Sequence, residues 1–150
     1  MGIVLAVALP LAAVDLIVKA MRPTEEWAYH ERSLGWLLLS IAILVGMLVV
    51  AQVPSKLVAP AAGIVAGGVL ANALSASWNG MEVPNPLLVG AGDGMIAFNL
   101  ADVWALTGIV SLVCVLAIWL IRNHERFPST AEMRERRGEA LRRLFDQNRS

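Results

Sequence analysis

Two polar tetrads carry the groups in this chain most capable of chemistry: Asn72-Ala73-Leu74-Ser75 and Asn99-Leu100-Ala101-Asp102. Each stands at an end of a hydrophobic run, and a third polar pair, Asp15 and Lys19, closes the first such run. A carboxylate or amide at membrane depth is costly to desolvate, so its presence points to a working site. Residues three apart on a helix share a face, so each asparagine points the same way as the Ser75 or Asp102 that follows it. Asp102 supplies a carboxyl group for general acid or base work, and Ser75 a hydroxyl that is a nucleophile only beside an activating base. Lys19 is the one nearby amine, and a Ser75–Lys19 nucleophilic pair has no support from spacing. Asp15 and Lys19, four apart, read as a structural pair. Asn99 and Asp102 also suit the cap of a helix that begins there.

These residues need helices to hold them. The chain has 150 residues, of which 57% are hydrophobic, with mean hydropathy +0.65, well above the roughly 45–50% apolar content of ordinary soluble domains. The expected fold is all-α and integral to a membrane: a four-transmembrane-helix bundle over residues 1–122, followed by a basic cytoplasmic tail helix over 123–150. The spans read as Ile3 to Val18, Leu34 to Val53, Leu57 to Leu74 and Ile96 to Ile121, against the roughly 17–25 apolar residues a crossing helix needs. No positive segment precedes the first span, which argues against a cleaved secretory signal.

The formal net charge is zero, from 12 basic and 12 acidic residues, but eight arginines lie between Arg122 and Arg149. Lys56 sits in the short link between spans two and three, and the link from Ala76 to Met95 has no basic residue. Positive charge marks the cytoplasmic side, so both termini are expected inside, and all three polar clusters then fall near the outer leaflet. Trp27, Tyr29, Trp36 and Trp78 fit an outer aromatic belt. Gly63, Gly67 and Gly68 suit close helix packing. In the tail, Ser129-Thr130-Ala131-Glu132 is a capping-box pattern. Met133, Ala140, Leu141, Leu144 and Phe145 form one apolar face, for a solvated helix or one lying on lipid. Cys114 is the single cysteine, His30 and His124 fall on opposite sides, and the run Gly90-Ala91-Gly92-Asp93-Gly94 matches no phosphate loop. No metal, no cofactor and no nucleic-acid partner is expected.

Together these residues resemble the lipoprotein signal peptidases (signal peptidase II), four-span bacterial aspartyl proteases that cut prolipoproteins before the lipid-modified cysteine. Phe98-Asn99-Leu100-Ala101-Asp102 is similar to that family's Phe-Asn-hydrophobic-Ala-Asp motif. Asp15-Leu16-Ile17-Val18-Lys19 is similar to its Asp-x-x-x-Lys, and Gly67-Gly68-Val69-Leu70-Ala71-Asn72 resembles its Gly-Gly-x-x-Gly-Asn, with Ala71 for the last glycine. The resemblance implies a bacterial inner-membrane location and Asp102 as a catalytic aspartate. It also implies a lipid-modified prolipoprotein signal peptide, or membrane lipid, as partner, with Asn72 and Asn99 on the substrate-binding side.

One position departs. Where the family has its first catalytic aspartate followed by arginine, this chain has Ser75 and Ala76. Aspartyl proteolysis divides its work between an ionised and a protonated carboxyl, and a serine hydroxyl is not an ionised base at neutral pH. Asp93, in the glycine-rich outer link, is the candidate substitute carboxylate, and Glu82 a weaker one. The first outer link reads as too short for the family's small β-structured cradle. Two functions remain: a divergent lipoprotein peptidase, or a non-catalytic relative that binds lipid-modified peptide, lipid or a membrane-protein partner.

Overall fold

The computed structural model describes residues 1–91, 94–126, 134 and 137–139. Four long helices account for most of them: α1 Gly2–Met21, α2 Leu34–Val50, α3 Val58–Trp78 and α4 Leu100–Arg122. Three of these, α1, α3 and α4, are long and apolar enough to cross a bilayer. The fourth, α2, is equally apolar but has 17 residues, a rise of about 25 Å, at the lower limit for a span.

The chain divides into two compact units, Met1–Leu116 and Ala117–Ser150. In the first, apolarity is turned outward. Leu38, Leu39 and Val113 are each about 60% exposed, whereas the interior is built largely from alanines such as Ala8, Ala12, Ala62, Ala66 and Ala71, with Val4, Val58, Val65 and Leu112 and the polar side chains Asp15, Asn72, Ser75 and Asn99. That inversion suits lipid, where large apolar groups gain nothing by hiding and small residues let helices approach. The central element is α3, with 67% of its apolar window buried against 22% for α1 and 11% for α4. Two adjacent glycines let it pass between its neighbours. A Cβ on Gly67 would come within 3.1 Å of the Ala8 carbonyl of α1, and one on Gly68 would overlap the Ala101 carbonyl and Ala105 backbone of α4.

Four short strands correct the purely helical expectation. β1 (Tyr29–Glu31), from the first link, pairs antiparallel with β2 (Glu82–Pro84), which follows α3; β3 (Leu87–Val89) pairs with β4 (Ile96–Phe98). The first link is therefore long enough to add a strand, and the start expected for the fourth span at Ile96 is a strand edge, with helix only from Leu100. A turn through Gly80 and Met81, both at positive φ, leads from α3 into β2. Strand β1 lies just beyond the C-terminal end of α1 and β2 just beyond that of α3. Their pairing means that both helices run the same way and that α4 starts at their shared end.

In the second unit, α4 closes with Asn123 Nδ2 donating to the Trp119 carbonyl at 2.8 Å, followed by a 3-10 turn at His124–Arg126. Residues 134 and 137–139 are helical. The expected cap at Ser129 to Glu132 and the Met133 to Phe145 face lie outside the described residues, as does Asp93.

Candidate functional site

The start of α4 explains how the site is assembled. Asn99 precedes the helix, and its Oδ1 accepts the Asp102 backbone N–H at 3.0 Å, while Asp102 Oδ2 accepts the Asn99 N–H at 3.2 Å. This is a reciprocal capping box with Asp in the usual Glu position. Between them, the Ala101 N–H is satisfied from another helix: Asp15 Oδ1 of α1 accepts it at 2.8 Å. Donors at a helix start have no intrahelical partner, and here two helices supply carboxylates for them.

Asp15 also forms an ion pair with Lys19, Oδ2 to Nζ at 2.7 Å, with both side chains almost fully buried. Lys19 donates in addition to Asn72 Oδ1 at 2.7 Å, and Asn72 Nδ2 donates to Asp102 Oδ1 at 3.0 Å. The Asn72 amide thus stands between a group that only donates and one that here only accepts, which fixes its orientation. The result is a continuous, partly buried chain of Asp15, Lys19, Asn72 and Asp102 drawn from α1, α3 and α4. Five of the seven residues picked out in the sequence, Asp15, Lys19, Asn72, Asn99 and Asp102, join in it.

Ser75 is placed differently. It lies one turn beyond Asn72, 1% exposed, and its Oγ accepts from Asn79 Nδ2 at 3.3 Å. It lines a cavity of about 250 Å³ with Lys19, Tyr29, Trp78 and Asn79. Asp102 lines another, of about 170 Å³, with the polar Arg32, Trp36, Ser40 and Asn72 and the apolar Ile43, Val69 and Ala105. Among the described residues no second carboxylate bonds to Asp102, and Glu82 is held on β2 opposite Glu31.

Sequence reasoning missed Arg32, Trp36, His30 and Asn85. The Arg32 guanidinium lies 5.0 Å from the centroid of the Trp36 ring, a cation–π distance; the signal was a cation and an indole four apart at the start of an apolar run. Asn85 is 1% exposed, donates to His30 Nδ1 at 2.9 Å, and accepts from Asn99 Nδ2 at 2.5 Å. Only the β1–β2 pairing brings those two together, and short irregular strands leave no period to read.

No known family and no curated protein matches the sequence. Among solved structures, a bacterial membrane enzyme determined by the in meso method at 2.3 Å resolution is similar, with a TM-score of 0.61 over 87% of this chain and 94% of that one, at 15% identity. The fold resembles that of this bacterial membrane enzyme. The motif-bearing helices of this chain deliver one carboxylate, held by two donors beside a cavity lined by both polar and apolar side chains. Such an arrangement can orient a carbonyl or a water, and it suits an amphiphile.

Proposed function

We propose that this chain is a divergent signal peptidase II-type protein of the bacterial inner membrane. It engages lipid-modified prolipoproteins at the Asp102 end of the bundle, and aspartyl endoproteolysis is impaired by Ser75. The observation that carries this reading is the convergence of the three motif segments on one partly buried network. Asp15 and Lys19, Asn72, and Asn99 with Asp102 reach one another by hydrogen bonds of 3.2 Å or less, and the likeness to a membrane enzyme supports it. With α2 counted as a span, the bundle crosses four times. The arginine-rich tail then favours both termini in the cytoplasm, with the network near the outer leaflet.

In the family's reaction one carboxylate removes a proton from water as it attacks the scissile carbonyl, and the other, protonated, hydrogen-bonds the carbonyl oxygen. Asp102 serves one of these roles. The Ser75 hydroxyl, already engaged by Asn79, offers no ionised base for the other. That geometry favours binding over turnover, with prolipoprotein held but cleaved slowly; the alternative is a non-catalytic relative that binds lipid-modified peptide, lipid or a membrane-protein partner and cleaves nothing.

The test is to incubate the purified protein with a diacylglyceryl-modified prolipopeptide and measure binding and signal-peptide release. Binding with little release is expected for the wild type, and Ser75→Asp should raise release by about 10²–10⁴, the usual worth of a general base. No binding by wild type and no gain in Ser75→Asp would overturn the proposal.

A further inference from the structure

A buried line of amides connects a surface histidine to the site. It runs from His30 Nδ1 to Asn85, from Asn85 Oδ1 to Asn99 Nδ2, and from Asn99 Oδ1 to the Asp102 N–H. Asn85 and Asn99 are at most 1% exposed, so neither exchanges its partner for water without cost.

Every donor and acceptor in this line follows from its far end. The Asp102 backbone N–H can only donate, so Asn99 must present Oδ1 to it. Asn99 Nδ2 then faces Asn85, with the Pro84 carbonyl also near it at 3.5 Å, and Asn85 must answer with Oδ1. That leaves the Asn85 amide N–H for His30, whose Nδ1 must accept. Only the neutral ring with its proton on Nε2 can do so.

We propose that His30 and Asn85 are positioning residues for Asp102, coupling the protonation of His30 to the cap of α4. A proton on Nδ1 sets two donors face to face. Relief by turning over the Asn85 amide sets Asn85 Nδ2 against Asn99 Nδ2, and turning Asn99 in its place removes the acceptor from the Asp102 N–H. Acid therefore loosens the capping box that holds Asp102. The titratable groups beside His30 are Tyr29 and Glu31 on its own strand and Glu82 on β2, where Val83 faces His30 and Pro84 faces Tyr29. Beyond β2 it meets the neutral Asn85, and no carboxylate among the described residues forms an ion pair with its ring. The inference concerns the carboxylate of the proposed site, but it stands on geometry that needs no substrate.

The experiment is nitrogen NMR and amide hydrogen exchange on the full-length protein in detergent at pH 8 and pH 5, with exchange corrected for its intrinsic pH dependence. At pH 8, His30 should show a bare Nδ1 and protonated Nε2. At pH 5, the Asp102 amide should lose about fivefold to tenfold in protection, the equivalent of one helix cap. Asn85→Asp supplies an acceptor to both neighbours, so it should carry a proton on His30 Nδ1 and abolish the acid loss. His30→Gln cannot titrate, and should show equal protection at both pH values. A wild-type Asp102 amide equally protected at pH 5 and pH 8 would overturn the proposal, as would an acid loss undiminished in His30→Gln. No lipopeptide is present, so failure here is separate from failure of the proposed function.

Discussion

Asp102 accepts from two elements at once, the Asn72 amide of α3 and the Asn99 backbone at the start of its own helix. Its replacement therefore has separable consequences. Asp102→Asn keeps one oxygen and the volume, so under the proposed function prolipopeptide cleavage should vanish while the thermal midpoint in detergent falls modestly. Asp102→Ala strands both donors, each at about 1–3 kcal/mol, and should lower the midpoint further. Equal midpoints would show that the two donors find other partners. Asp15 allows a parallel test. It is fully buried, paired with Lys19, and caps Ala101. Asp15→Ala leaves the buried ammonium without its counter-charge and should cost about 3–5 kcal/mol. Asp15→Asn retains an acceptor for Ala101 and should cost less, as denaturant unfolding would report. At this scale much of the site was legible in the sequence, because a capping box is a local pattern and buried polar residues in apolar runs stand out. The Asp15–Lys19 pair was legible as well; that Asp15 also caps Ala101 was not, since that partner is 86 residues away.

At the scale of elements, α3 decides how close the motif-bearing helices come. Gly68 faces the Ala101 carbonyl and the Ala105 backbone, so a side chain there must displace the first turns of α4 and with them Asp102. Gly46 of α2 has open space around its Cβ position. Gly68→Ala should therefore destabilise and disturb the Asp102 amide resonance, whereas Gly46→Ala should be neutral or stabilising by up to about 1 kcal/mol, the helix preference of alanine over glycine. Reversal of that order by thermal unfolding would show that α3 and α4 are not packed through Gly68. The strands belong to this scale too. β1 through β4 span three residues each, too few to show alternation, so the strand that the first link contributes left no period to read.

For the whole molecule, most of the large apolar side chains cover the outside of the first unit, and its interior is filled mainly by small and polar ones with a few valines and Leu112, so its stability rests on a surrounding apolar medium. The proposed orientation has a direct check: with Cys114 replaced by serine, a single cysteine at Glu26 or Gly80 should react with a membrane-impermeant maleimide in intact spheroplasts, and one at Ser55 only after lysis. Labelling at Ser55 before lysis would invert the topology and move the Asp102 network to the inner leaflet.

Composition and the spacing of apolar runs were enough to establish four apolar helices, because hydrophobic length and charge asymmetry are properties of contiguous sequence. The same holds for the likeness of three motifs to a signal peptidase II pattern, and for the departure from that pattern at Ser75. Tertiary structure alone decided which groups meet. It set Asp15 on the α4 cap, Asn72 between Lys19 and Asp102, Ser75 beside Asn79, and His30 within reach of Asn85. Those contacts join segments far apart in the chain, and their geometry depends on how closely glycines let three helices approach, a distance no local pattern encodes.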